Sequence, residues 1–178
     1  MTIRFCLNRP REFQKGYLNA IIDCGYLHNR WVQTALEYVP EHLFDQRTDF
    51  LFTSTATSDA CRVARDLCRT REIILVSERI LPSENVRDET NPKARYFIYA
   101  VLHEIAHALR AHKSPLLDAL KIEEYEAQEE EADELAMKWF NDHVVKRNNI
   151  HLLPITKGEI KEAQEKNQEV MTRLWKGI

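Results

Sequence analysis

The sequence has no apolar run near the eighteen or so residues that a membrane-spanning helix requires, which argues against a membrane protein. It also has no Cys-x-x-Cys pair among Cys6, Cys24, Cys61 and Cys68. That absence sets aside a thiolate zinc cage and a dense disulfide framework, so mostly buried thiols in a reducing compartment are expected. The start, M-T-I-R-F-C-L-N-R-P, has no cleavable secretory pattern, and a cytoplasmic location is expected. There is no internal repeat, and no low-complexity segment beyond one Glu-rich run. Net charge is scarce too: a formal −3 gives no electrostatic reason to expect nucleic acid as the main partner. Residues 1–80 lean basic and residues 123–134 carry eight acids, which a solvated basic surface and a solvated helix face account for.

A chain of 178 residues suits one domain. Its expected parts are an N-terminal helical segment over about 1–45, a core over about 49–145 and a C-terminal helix over about 156–176. Phe13, Tyr17, Leu18, Ile21, Ile22, Leu27, Trp31, Val32 and Leu36 recur at spacings near three and four, which predicts one or two amphipathic helices broken around Cys24-Gly25. D-F-L-F-T-S-T-A-T-S (49–58) reads as an extended segment, and Ser58 or Asp59 is placed to cap a helix A-C-R-V-A-R-D-L-C-R. R-E-I-I-L-V-S-E-R-I (71–80) is the best strand, with Pro82 to stop it. Asn91-Pro92 predicts a helix from about 92 to 112, and a second helix is expected from 116 or 118 to 145. A last one begins at Thr156, three residues before Glu159, the form of a capping box. The class expected is α+β: a small mixed sheet with additional packed helices, helix-rich overall.

Y-A-V-L-H-E-I-A-H-A-L-R-A-H (99–112) places His103, Glu104 and His107 in the pattern H-E-x-x-H. Chance alone produces that pattern about 0.03 times in a chain of this composition, so a further ligand is needed to support it. On a helix, His107 lies about 40° and Glu104 about 100° from His103, opposite Ile98, Val101, Leu102, Ile105 and Leu109. That face is either wet or the floor of a cleft that another element roofs. The spacing of the two histidines suits one zinc ion, and a Glu beside the first can take a proton from attacking water without occupying the metal.

The Glu-rich helix supplies the further ligand. With Ile122 at zero, Tyr125, Ala132, Ala136, Trp139 and Phe140 form an apolar stripe, and Glu129 falls inside it at about 340°. A carboxylate on a core-facing stripe needs a partner, and zinc would be one. Asp133, one turn later, is placed to accept a hydrogen bond from the second nitrogen of a ligating histidine. Two His and one carboxylate leave a fourth position open, the pattern of catalytic zinc.

With H-E-I-A-H at 103–107 and E-E-E-A-D-E-L-A at 129–136, the sequence resembles the gluzincin zinc metallopeptidases. It is most similar to the minimal single-domain gluzincins and the ImmA/IrrE-type peptidases of phage and mobile elements, over roughly residues 49–145. The resemblance implies a zincin active-site helix, zinc held by His103, His107 and Glu129, Glu104 as base and acid, and Asp133 behind a ligand. It further implies residues 73–80 as the edge strand along which an extended polypeptide substrate pairs, with a specific regulatory protein as that substrate. Glu130 and Glu131 are neighbouring acids whose angles of about 80° and 180° argue against ligation. Tyr125, His143 and His151 are candidates for stabilising the tetrahedral intermediate. His112 is no third ligand of the metzincin kind, since that spacing calls for a glycine and a histidine where this chain has Arg110 and Lys113; it reads as a helix-end histidine favoured by the dipole. The alternative is a regulatory or protein-binding module of the same fold that keeps zinc but cleaves little; a helical scaffold without metal is the third reading.

Overall fold

The computed structural model describes residues 11–15, 18–23, 25–44, 48–55, 59–65, 71–113 and 118–176. Strands β1 (Arg11–Lys15) and β2 (Leu18–Asp23) lead into helix α1 (Tyr26–Tyr38) and a 3-10 turn at Glu41–Phe44. Three strands follow, β3 (Thr48–Thr55), β4 (Ala60–Arg65) and β5 (Arg71–Ser77), and then helices α2 (Pro92–Leu109), α3 (Ile122–Arg147) and α4 (Lys157–Lys176). The architecture is a small α+β fold built on a five-stranded mixed sheet in the order β1-β2-β3-β5-β4. None of the described helices is long and apolar enough to cross a membrane.

One face of the sheet makes the core. The register sets Ala20 beside Phe50, Ile22 beside Phe52, and Phe52 beside Ile74, and all are buried with Val76. On β5 the alternation is regular, because Ile74 and Val76 point inward while Ile73 and Leu75 are partly exposed. Helix α2 packs against α1, α3, β4 and β5. It is therefore buried on nearly every side, with Phe97, Ile98, Val101, Leu102 and Ile105 at zero exposure. Each such side chain contributes roughly 1.5–3 kcal/mol relative to exposure.

Local signals place the helix starts. Asn91 Oδ1 accepts the Lys93 N–H at 2.9 Å, with Pro92 at the first helical position. Thr156 Oγ1 accepts the Glu159 N–H at 3.2 Å. The Glu159 carboxylate pairs with buried Arg95 rather than completing a capping box, which ties α4 to α2.

Three expectations are corrected. Residues 11–23 form a hairpin with Lys15 opposite Leu18, not a helix. Residues 60–65 are strand rather than helix, since pairing with β5 overrides their weak helical preference; Ser58 and residues 66–70 lie outside the described residues. Finally, β5 is interior, flanked by β3 and β4, so the edge beside α2 is β4 and not residues 73–80.

The helical boundaries also shift. Helix α2 stops at Leu109 rather than 112, because Ala111 takes a left-handed φ of 53°. The His112 N–H returns to the His107 carbonyl at 3.0 Å and the Ala111 N–H to Ala108 at 3.1 Å, the two bonds of a Schellman closure. Alanine there costs about 1 kcal/mol that glycine would not. Helix α3 begins at Ile122, and its stripe enters the core only from Ala132 onward, with Ala136, Trp139, Phe140 and Val144. Ile122 and Tyr125 are exposed, which corrects their assignment to the core.

Candidate metal centre

Because α2 is roofed by α3 and flanked by β4, the polar face of its motif is the floor of a cleft. His103 and His107 side chains keep only 14% and 11% of their exposure. Their Nε2 atoms lie 2.9 Å apart. Glu129 reaches them from α3, with Oε2 at 3.4 Å from His103 Nε2 and Oε1 at 3.4 Å from His107 Nε2. These three residues are the one group of metal-competent donors that comes together among the described residues. The Glu129 side chain keeps 36% of its exposure, so it sits at the border of the core rather than within it.

The separations match the chemistry of the donor set. Ligand bonds of about 2.0–2.1 Å around a tetrahedral zinc place neighbouring donors about 3.3 Å apart. Contacts of 2.9, 3.4 and 3.4 Å bracket that edge. Two imidazoles and one carboxylate suit zinc in preference to magnesium or calcium, which favour all-oxygen shells.

Around the donors, Asp133 Oδ1 lies 2.8 Å from His103 Nδ1. The contact is not aligned with the ring N–H, which finds no aligned acceptor, so it is chiefly electrostatic. Tyr99 Oη donates to the same Asp133 oxygen. Glu104 is not among the donors: it is buried beside them, and its Oε2 accepts the Arg62 N–H of β4 at 2.6 Å. Glu130 joins no donor group, and Glu131 turns instead toward His112 and Arg110.

Protonation follows from this crowding. Burial pushes the Glu104 carboxyl up, against the opposing pull of the His103 charge and the Arg62 N–H. Burial disfavours a charged His103, but interactions with Asp133 and Glu129 outweigh it and raise its pKa to about 10. His107 is driven down, first by burial and then by the charge on His103. Two imidazoles this close hold one positive charge between them, not two.

Of the three candidates for an oxyanion partner, Tyr125 lines the cleft and hydrogen-bonds Glu129. His143 stacks on Tyr38 at 3.9 Å, and His151 is exposed after α3. Two functional contacts had no sequence signal. Arg62 bridges to the site: its Nε pairs with buried Glu72 at 2.8 Å, and its Nη1 donates to the His112 carbonyl. His112 itself, at the end of α2, is buried, with Nδ1 2.8 Å from His107 Nδ1.

The cleft at the donors has a volume of about 180 Å³, and an adjoining recess past Asp59 and Tyr99 about 240 Å³. A separate cavity of about 500 Å³, between the start of α2 and α4, contains none of the donors. Neither the protein-family models nor the curated proteins include a match to this chain.

Proposed function

We propose that the chain is a zinc metalloendopeptidase of the gluzincin kind, most similar to minimal single-domain and ImmA/IrrE-type peptidases. It would cleave a polypeptide held beside β4. The observation that carries this reading is the meeting of His103, His107 and Glu129 from two helices at tetrahedral spacing, next to a buried carboxylate that is not a donor. Zinc bound there would act as a Lewis acid on the scissile carbonyl and make water a competent nucleophile near neutral pH.

The chain's own residues supply the remainder. Glu104 accepts a proton from the attacking water and passes it to the leaving amine; its raised affinity for protons suits it to hold one between the two transfers. Asp133 steadies His103. Tyr125 offers its hydroxyl to the developing negative charge. Strand β4 is the edge against which substrate lies. Asp59 accepts the Ser77 N–H, so by antiparallel alternation the backbone groups of Ala60 and Arg62 face away from β5, toward the cleft. The register shift between Arg62 and Ala64 marks a bulge, a feature that re-aims strands beside active sites.

A narrow cleft favours one protruding segment of a specific regulatory protein over bulk polypeptide. A cytoplasmic setting accompanies this reading. The second reading, a zinc-holding module with little peptidase activity, draws on the Arg62 N–H that occupies one oxygen of Glu104. Profiling a broad peptide library with wild type and Glu104→Gln separates the two. Cleavage by wild type alone supports the peptidase, whereas identical behaviour of the two proteins removes it.

A further inference from the structure

We propose that His112 and Glu131 are positioning residues that fix the tautomer and orientation of His107, a role that rests on reading His107 as a metal donor. His107 points Nε2 at His103 and Glu129, so its lone pair must lie there and its proton on Nδ1. That Nδ1 faces His112 Nδ1 at 2.8 Å, across rings that meet edge to face at 75°. His112 must then accept with Nδ1 and carry its own proton on Nε2. Its Nε2 lies 3.2 Å from Glu131 Oε2, which can only accept when ionised. The order Glu131, His112, His107 thus has one donor and one acceptor at each step, and it leaves His107 Nε2 unprotonated.

The backbone holds this order in place. The left-handed turn at Ala111 folds His112 back under the last turn of α2, where it is buried, instead of continuing outward. Arg62 of β4 grips the His112 carbonyl. On the other side, Arg110 Nε lies 3.0 Å from Glu131 Oε1, and the Lys113 N–H donates to Gln128 Oε1 at 2.7 Å. Residues 110–113 are therefore pinned to both β4 and α3. Behind its Nδ1, His107 thus meets a second imidazole where His103 meets the Asp133 carboxylate.

The test compares zinc affinity of the full chain by competition with a chromogenic chelator, at fixed pH. His112→Leu and Glu131→Ala are expected to weaken binding roughly 10–100-fold, the usual effect of losing a partner behind a ligand. His112→Gln can accept at its oxygen and donate at its nitrogen, so it should recover most of the loss. Lys138→Ala removes an exposed ion pair with Asp142 farther along α3, and affinity should stay within about twofold of wild type. Wild-type affinity in His112→Leu overturns this proposal and leaves the metal site standing; no zinc binding by wild type overturns both. Should His112→Leu not fold, imidazole nitrogen NMR of zinc-loaded wild type decides. Protons on His107 Nδ1 and His112 Nε2 are expected, and a proton on His112 Nδ1 overturns the assignment.

Discussion

The backbone N–H of Arg62 donates to Glu104 Oε2 across 2.6 Å, joining the edge strand to the buried carboxylate of the H-E-x-x-H helix. The same residue uses its side chain to reach Glu72 on β5 and the carbonyl of His112 at the end of α2. Position 62 therefore couples sheet, helix end and the motif face. A bulge in β4 beside it gives the strand the local bend that this geometry uses.

Removing that side chain takes an ion-pair partner from the buried carboxylate of Glu72. The Arg62 and Glu72 side chains keep 10% and 5% of their exposure, so the pair is nearly desolvated. Arg62→Ala is expected to destabilise the fold by about 3 kcal/mol. The double variant Arg62→Met, Glu72→Met should recover most of this in urea unfolding. A single-variant loss under about 1 kcal/mol would show that the pair contributes little.

Zinc binding should strengthen with rising pH. His103 holds a proton up to about 10, and burial and the His103 charge keep His107 neutral. A zinc ligand must be unprotonated, so binding below that pKa displaces one proton. Apparent affinity should rise about tenfold per pH unit between roughly pH 7 and 9. Chelator competition at several pH values measures the slope, and a flat profile would show that His103 is already neutral.

Ala111→Gly should stabilise the protein by about 1 kcal/mol by relieving the left-handed alanine at φ 53°. Because Gly also loosens the unfolded chain, the net gain could not much exceed that amount. Thermal unfolding checks the sign. A lower midpoint would mean that the closure tolerates alanine without strain.

Tyr125→Phe isolates the hydroxyl in the cleft. Loss of a donor to the developing oxyanion lowers kcat roughly 100-fold with KM little changed. Steady-state kinetics on a cleavable peptide supplies both constants. Unchanged kcat would confine the hydroxyl to its hydrogen bond with Glu129.

What is legible in the sequence is local. Asn91-Pro92 and Thr156 start helices through contacts within three residues, and helical periodicity alone brings His103, Glu104 and His107 to one side. Glu129 is legible through its angle on α3, although the surrounding stripe is buried only from Ala132 onward. What stays hidden is non-local. β4 is a strand because β5 is beside it, and residues 11–23 pair as a hairpin whose apolar spacing also fits a helix. His112 reads as a continuation of α2 because no Gly or Asn marks the left-handed turn that buries it against His107.

The central claim is that His103, His107 and Glu129 hold one metal ion. Its most direct measurement is the metal content, by mass spectrometry, of protein purified without chelator, for wild type and Glu129→Ala. About one equivalent of zinc in wild type, with a loss on chelator challenge at least roughly tenfold faster in Glu129→Ala, is the result predicted. Less than about half an equivalent in wild type, or equal retention by the two proteins, would contradict it.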